Sequence, residues 1–421
     1  MNIVFVVICV VLLSISSQVS GAQIFRDIEI EEVIKKISAP LFGAANVDVS
    51  AIKVFVVDDD SINAYVSYNH IFIHKGLLVF SKDPGAVAGV IAHEIGHMFH
   101  NHIVKREGER MKGMVIGGLS YVLGMITSII VDPRVGQAIV SGGSAVGYGN
   151  FMAYSRSQEE VADQCALEYL DMAGYSKDGL LDVLRHFNKN EIYNTDADKY
   201  MVSHPFSEQR LKRIHNYKER REPIGFLNED RAMFSRVVEK VEAFMTPIDT
   251  LRSKELSTYM KSILNYREGR SEQALNDLGI LISMSPTDPY LLEVRAQILY
   301  KLGKIDASIR DYEMALRELP GNILMELELA QVLTLKDPNS ALRHLEKILL
   351  RERNDPHVWR QLALVYGKID KIDMTYFALA NSFFLEGNSK MFMRYVKLSK
   401  QHLRKDSIHL KKILDLEEAA A

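Results

Sequence analysis

Apolar residues follow a helical repeat in the segment after residue 23. Their spacing makes one side of a helix apolar and the other polar, which is typical of an amphipathic helix. We therefore predict a helix within residues 23 to about 50 that ends at Pro40, because proline cannot donate a helical hydrogen bond. The apolar positions are Ile28, Ile30, Val33, Ile34 and Ile37.

Two short segments, 52–57 and 70–73, are rich in β-branched and aromatic residues and flank the turn-prone stretch 58–61 (DDDS). This pattern predicts a few short strands. From Asp83 the pattern is helical again and runs through "IAHEIGHMFHNH" at 91–102.

A longer apolar run occupies 114–131 and contains three glycines, and a second largely apolar helix is predicted up to residue 154. Eighteen residues are just enough to cross a bilayer, so a transmembrane hairpin is one interpretation. The glycines and the short turn are equally consistent with an apolar helical hairpin over 114–154 that packs on the protein or lies against a membrane. The marginal length favours this second interpretation.

Turn signals recur at a fixed interval after about residue 250. Pro286, Pro320, Asn354 and Asn388 are each separated by 34 residues. This period resembles that of tetratricopeptide (TPR) repeats, in which paired helices stack into a solenoid with a concave protein-binding surface. A generic helical bundle with accidental spacing is the alternative. We predict TPR-like repeats over 253–415 and a helical linker over 218–252.

The first 22 residues contain no charged side chain, and an apolar run from Ile3 to Leu13 is followed by small residues. This is the form of a secretory signal peptide, with Ser20 and Ala22 before a cleavage site. An uncleaved membrane anchor is the alternative. We expect export.

Composition is that of a globular chain of two or three domains: 421 residues, 47% hydrophobic and 25% charged. The net charge is −3 and no basic block stands out, so nucleic acid is not an expected partner. The two cysteines are Cys9 and Cys165, and loss of the N-terminus would leave one, which excludes an internal disulfide.

The segment His93-Glu94-Ile95-Gly96-His97 matches H-E-x-x-H. Residues four apart share a helix face, so His93 and His97 can bind one zinc ion. Glu94 then lies beside the open coordination position, where it can accept a proton from water. A metzincin would have a third histidine at 103, but that residue is Ile103.

A third ligand must therefore come from elsewhere in the chain. Glu159 and Asp163 lie one helical turn apart, so one carboxylate can bind metal while the other orients a ligand imidazole. By itself this pair also fits an acidic, solvated helix face.

"SRSQEEVAD" at 155–163 resembles an element of the HtpX/BepA-type zinc peptidases (metallopeptidase family forty-eight, gluzincins). The segments 63–65 (NAY), 76–78 (GLL), 89–97 (GVIAHEIGH) and 204–210 (HPFSEQR) resemble other landmarks of the family, in the same order. The resemblance covers about residues 24–217, and the signal peptide and repeats make the architecture similar to the periplasmic BepA subgroup. One departure is Tyr68-Asn69, where relatives usually have glycines.

The resemblance implies a mainly α, α+β fold: a zincin-like peptidase domain with a small sheet over 23–217, followed by the solenoid. It implies that one Zn²⁺ per chain is bound by His93, His97 and Glu159, and that Glu94 is the general base. Asp163 would support a ligand, His204 would approach the metal and regulate access, and Arg210 would have a structural or active-site role. We expect His100 and His102 to be structural or solvated. We expect His74, near the presumed edge strand, to lie on the ordinary strand surface, with contact to substrate as the alternative.

The function expected from these features is zinc-dependent endopeptidase activity in the periplasm of a Gram-negative bacterium. The resemblance implies misassembled outer-membrane proteins as substrates, the β-barrel assembly machinery as a partner, and peripheral contact with a membrane. The alternatives are a TPR chaperone or scaffold with a latent protease site, and a membrane-anchored peptidase.

Overall fold

A computed structural model describes residues 24–49, 52–67, 70–81, 83–107, 156–190, 204 and 207–420. The segments predicted as a signal peptide (1–22) and as an apolar hairpin (114–154) lie outside the described residues, as do Tyr68 and Asn69. Within the described residues, none of the helices combines the length and apolar character needed to cross a membrane.

The first part of the chain combines a small sheet with helices. The strands are β1 (Ile24–Phe25), β2 (Lys53–Val57), β3 (Ala64–Ser67) and β4 (His70–His74). The helices are α1 (Ile28–Ala44), α2 (Lys75–Phe80), α3 (Pro84–Glu107), α4 (Arg156–Ala173), α5 (Asp178–Asn190) and α6 (Glu208–Asn216).

Helix α1 follows the predicted apolar pattern but passes through Pro40, so the prediction that it ends there is wrong. Asp27 caps its N-terminus by accepting a hydrogen bond from the Ile30 backbone N–H. A proline inside a helix costs about 3 kcal/mol. Leu41 and Phe42, in the following turn, are fully buried, and each such burial contributes about 1.5–3 kcal/mol. Burial of this last turn therefore offsets the cost of the proline.

The strands form one sheet in the order β1-β2-β4-β3. β2 and β4 are parallel, as the apolar pattern of both strands allows, whereas β3 pairs with β4 in the antiparallel sense. β3 is therefore an edge strand, and it also lies against α3. The sequence pattern did not predict β3 or α2, because each is too short to show a clear repeat.

Close backbone contact fixes the position of α3 against α4. A β-carbon at Gly96 would lie 2.8 Å from the Ala162 carbonyl oxygen and 3.2 Å from the Cys165 β-carbon. No side chain fits there without moving α4, so glycine allows the two helices to approach. Gly89 has the same role toward α5, where a β-carbon would lie 2.6 Å from the Leu180 backbone nitrogen. These contacts fix the spacing between the two helices that carry the predicted ligands.

The second part of the chain is entirely helical among the described residues. Helices α7 (Asn228–Met245) and α8 (Ile248–Arg252) lead into five antiparallel pairs. The pairs are α9 (Thr258–Arg267) with α10 (Ser271–Met284), α11 (Pro289–Lys301) with α12 (Ile305–Glu318), α13 (Ile323–Lys336) with α14 (Pro338–Arg351), α15 (Pro356–Lys368) with α16 (Ile372–Leu385), and α17 (Ser389–His402) with α18 (Ile408–Ala419).

The first helices of successive pairs begin at residues 289, 323, 356 and 389, which matches the period read from the turn signals. Asp288, Asn322, Asp355 and Asn388 cap these helices through their side chains. The capping residues are thus part of the repeated pattern. The predicted fold class, α+β and mainly α with a helical repeat array, is confirmed.

A buried ionic cluster joins the start of α1 to the helical part of the chain. Lys240 on α7 is 2% exposed, and its Nζ lies 2.8 Å from Asp27 Oδ2 and 3.1 Å from Glu293 Oε2 on α11. Glu29 on α1 pairs with Arg236 and accepts a hydrogen bond of 3.2 Å from the Tyr259 hydroxyl. Burial alone would lower the pKa of Lys240, but the surrounding carboxylates outweigh it and raise that pKa well above its usual value. Lys240 therefore stays protonated, and its contacts with both parts of the chain resist their separation.

Candidate active site

Helix α3 places three of the predicted site residues on one buried face. His93, Glu94 and His97 are all at most 4% exposed. The Nε2 atoms of His93 and His97 lie 3.0 Å apart, and the two rings are perpendicular. The i, i+4 spacing thus brings both imidazoles to one point, as the motif predicts.

Helix α4 brings two carboxylates to the same point. Glu159 lies 3.3 Å from His93 Nε2 through Oε2 and 3.1 Å from His97 Nε2 through Oε1. One turn further on, Asp163 Oδ1 lies 3.0 Å from His93 Nδ1. Asp163 can accept the Nδ1 proton of His93, which leaves the Nε2 lone pair directed at the cluster. Both carboxylates are fully buried.

Arg210, in the first turn of α6, pairs with both carboxylates. Its Nε and one terminal nitrogen lie 2.7 and 2.8 Å from the two oxygens of Asp163, and its other terminal nitrogen lies 2.7 Å from Glu159 Oε2. Ser207 caps α6 by accepting a hydrogen bond from the Arg210 backbone N–H. The side chain is 2% exposed. One guanidinium therefore fixes the two carboxylates relative to each other.

His204 lies before α6 and completes the cluster. Its Nδ1 is 3.4 Å from His93 Nε2 and 3.3 Å from Glu159 Oε1. Its Nε2 lies 3.4 Å from Glu94 Oε1. This single imidazole therefore stands between the ligand atoms and the carboxylate of Glu94.

Burial and neighbouring charged groups shift the pKa values of the side chains in the cluster. Burial would lower the pKa of His93, but hydrogen bonds to Asp163 and Glu159 outweigh it and raise the pKa to about 9. Burial and the neighbouring His93 charge lower the pKa of His97 to about 3. Burial would raise the pKa of Asp163, but Arg210 and His93 bring it to about 2. Burial raises the pKa of Glu94. Without a metal, a proton on His93 compensates the carboxylates, and a bound cation would provide the same compensation.

The residues fit a divalent metal. One ligand atom from each of His93, His97, Glu159 and His204 lies within 4.8 Å of the others. Nitrogen and oxygen ligands about 2.0–2.1 Å from a tetrahedral ion lie about 3.3–3.4 Å from one another, and five of the six residue pairs here bring such atoms to 3.0 to 3.4 Å. Imidazoles with a carboxylate suit zinc and neighbouring first-row ions. Glu94 Oε1 is buried and makes no hydrogen bond among the described residues.

All seven predicted site residues thus meet in one buried cluster. The side chains of His100 and His102 lie outside the described residues. The prediction that His74 lies on a strand surface near an edge strand is wrong: it is buried, at 9% exposed, because β4 is an inner strand of the sheet, and its Nδ1 lies 2.7 Å from the Ser61 hydroxyl. Sequence reasoning missed the Arg210–Glu159 pair and the position of His204 beside Glu94. Neither contact has a signal in local spacing.

Comparison with known proteins agrees with this geometry. Residues 26–218 match the model of Peptidase family M48. The chain is 22% identical over 384 residues to the beta-barrel assembly-enhancing protease of Yersinia pestis, which covers 87% of this chain and 78% of the relative. It is 20% identical to the protein of the same name from Escherichia coli K12, with the same coverage. A putative protein of that name from Vibrio cholerae is 24% identical over 45% of this chain and 39% of its own length.

Among solved structures, the chain has a distant likeness to residues 41 to the end of MamA from Desulfovibrio magneticus RS-1. That chain is 18% identical, with a TM-score of 0.29, and the match covers 38% of this chain and 94% of the other. The assignment therefore rests on the family match and on the metal-binding geometry of the cluster. The chain is a metalloprotease whose residues 26–218 match the model of Peptidase family M48.

Proposed function

We propose that the chain is a zinc-dependent endopeptidase of the bacterial envelope. His93, His97 and Glu159 would hold one Zn²⁺, and Glu94 would act as general base. The observation that carries this proposal is the convergence of these ligand atoms beside the buried Glu94, whose Oε1 makes no hydrogen bond among the described residues. A bound zinc ion supplies a Lewis acid that polarises the scissile carbonyl and makes water more acidic.

The side chains of the protein perform the proton transfers and the positioning. Glu94 accepts a proton from the attacking water and passes it to the leaving amine, which requires a carboxylate within hydrogen-bond reach of both. Asp163 accepts the Nδ1 proton of His93 and keeps that ring in the tautomer that can bind metal. Arg210 pairs with both Asp163 and Glu159, so it acts on the reaction through their positions.

The substrate class follows from the relatives. Because proteins similar over 87% of this chain are named beta-barrel assembly-enhancing proteases, we assign misassembled outer-membrane barrel proteins as substrates and the barrel assembly machinery as a partner. The repeats over 253–415 would bind these proteins, since stacked helical pairs present an extended surface. Residues 1–22 would direct export to the periplasm. Residues 23–217 would form the peptidase domain and 218–252 the linker.

Metal removal tests the catalytic proposal. Dialysis against a chelator is expected to abolish degradation of an unfolded casein-type substrate, because the bound ion would supply the Lewis acid that polarises the carbonyl. One equivalent of zinc per chain should restore the rate. Metal content is measured by mass spectrometry on the same samples. Degradation that continues after complete removal of metal would contradict the proposal.

His204 is expected to hold the resting site closed, because it contacts both the ligand set and Glu94. If the open state is populated about one time in ten, His204→Ala should raise the degradation rate about tenfold. His215→Ala, at an exposed position on α6, is the matched control and should leave the rate unchanged. The position of His204 also supports a second function, a scaffold whose protease is latent at rest. A lower rate in His204→Ala would assign this histidine to catalysis instead.

A further inference from the structure

Charge is distributed unevenly at the C-terminal end of the repeats. Residues 389–412 contain eight lysines and arginines and a single acidic residue, Asp406, in a chain whose net charge is −3. Helices α11 to α14 each carry both signs; for example, α12 carries Asp306, Glu313 and Glu318 together with Arg310 and Arg317. Helix α17, by contrast, carries four cations and no acidic residue, whereas the C-terminal half of α18 is acidic through Asp415, Glu417 and Glu418.

The cations of α17 lie on one face of that helix. Lys390, Arg394 and Lys397 are spaced at i, i+4 and i+7, and all three are exposed. None of them forms an ion pair within the part of the chain that the structure describes. The opposite face of α17 is buried through Phe392 and Val396. Packing therefore orients the cationic face outward.

Further exposed cations follow in the connection after α17 and in the first half of α18. Lys411 and Lys412 in the first half of α18 are exposed, and so is Lys405 in the connection between the helices. Exposed apolar side chains lie on the same two helices. They are Met393, Ile408 and Leu414, with exposed fractions of 50%, 64% and 45%. We call these nine residues the basic surface: Lys390, Met393, Arg394, Lys397, Lys405, Ile408, Lys411, Lys412 and Leu414.

We propose that the basic surface docks on a bilayer that contains anionic phospholipids. Cations interspersed with exposed apolar side chains match the phosphate and acyl boundary of such a bilayer. The cations are spread over two helices and a connection, without the buried, bidentate geometry that recognises one particular carboxylate. A layer of lipid phosphates requires no such fixed geometry. Charge complementarity therefore favours a membrane over an acidic protein.

The number of cations sets the expected binding constant for an anionic bilayer. Each cation near an anionic bilayer surface raises the binding constant about fivefold, so six give strong attraction at low salt. The attraction should weaken as salt rises from about 50 mM to about 200 mM, because the screening length shortens. This interaction is independent of the peptidase chemistry and does not require an active metal site.

Vesicle flotation of the full chain tests the proposal. Wild type should float with phosphatidylglycerol-containing vesicles and bind phosphatidylcholine vesicles much more weakly. The triple variant Lys390→Glu, Arg394→Glu, Lys397→Glu should lose about a hundredfold in partitioning to the anionic vesicles. The matched control reverses three exposed arginines elsewhere in the array, Arg310→Glu, Arg317→Glu and Arg343→Glu, and should bind like wild type. Circular dichroism confirms that all the proteins are folded.

Each other outcome overturns the proposal. Equal binding of wild type to both vesicle types would assign any attachment to apolar segments. Equal losses in the two triple variants would assign binding to net charge alone. If wild type ignores both vesicle types but binds soluble polyglutamate through the basic surface, the partner is an acidic protein and the bilayer is excluded.

Discussion

Replacing Glu94 by glutamine is expected to reduce kcat/KM for casein-type substrates by about 10²–10⁴-fold, the usual contribution of a general acid–base residue. Glutamine has the same size but cannot accept a proton at the reacting water. The ligand atoms belong to other residues, so the variant should keep its metal. Initial rates and metal content measured on the same preparation separate loss of the base from loss of the ion.

Glu208→Gln provides a matched control, because Glu208 lies on α6 with its side chain 74% exposed. This variant should degrade substrate like wild type. If Glu94→Gln is equally active, the proposed role of Glu94 is wrong. If Glu94→Gln loses proteolysis but still binds and rescues its partners in cells, the scaffold function accounts for the activity of the protein.

Replacing Arg210 by methionine is expected to lower the free energy of unfolding of the metal-free peptidase region by about 3–5 kcal/mol. The reason is that Asp163 and Glu159 would remain fully buried after their shared cation is removed. Hydrogen exchange of α4 and α6 in increasing urea measures this region separately from the repeats.

Arg213→Met is the control for this prediction. Arg213 lies on the same helix and pairs with Glu160, but the two side chains are 39% and 42% exposed. A surface pair of this kind contributes about 0–1 kcal/mol. Similar small effects in both variants would show that Arg210 is not needed to stabilise the two carboxylates. Bound zinc should reduce the loss in Arg210→Met, because the ion supplies positive charge at the same place.

Local spacing accounts for the part of the site that the sequence predicted. His93 with His97, and Glu159 with Asp163, each lie one turn apart on a helix, and helix geometry alone brings each pair together. The meeting of the two pairs depends on the packing of α3 against α4. Only the family resemblance, and not spacing, could predict that meeting.

Other features could not be predicted because they depend on long-range packing. Pro40 marked a helix end in the sequence, but burial of Leu41 and Phe42 carries α1 past it. Contacts of His204 and Arg210 with the helix pairs join residues far apart in the chain. The basic surface was missed for a different reason, since a net charge taken over the whole chain conceals a local excess.

The ionic cluster around Lys240 has a mechanical consequence. Asp27, the N-cap of α1, and Glu29 within α1 share buried partners with α7 and α11. The zincin-like part and the first repeats therefore cannot pivot freely about a flexible hinge. If the repeats bind a client protein, as proposed above, that protein would meet the cleavage site at a set distance from the point where it is bound. The distance between the repeats and the active site would then determine the position at which the client protein is cut.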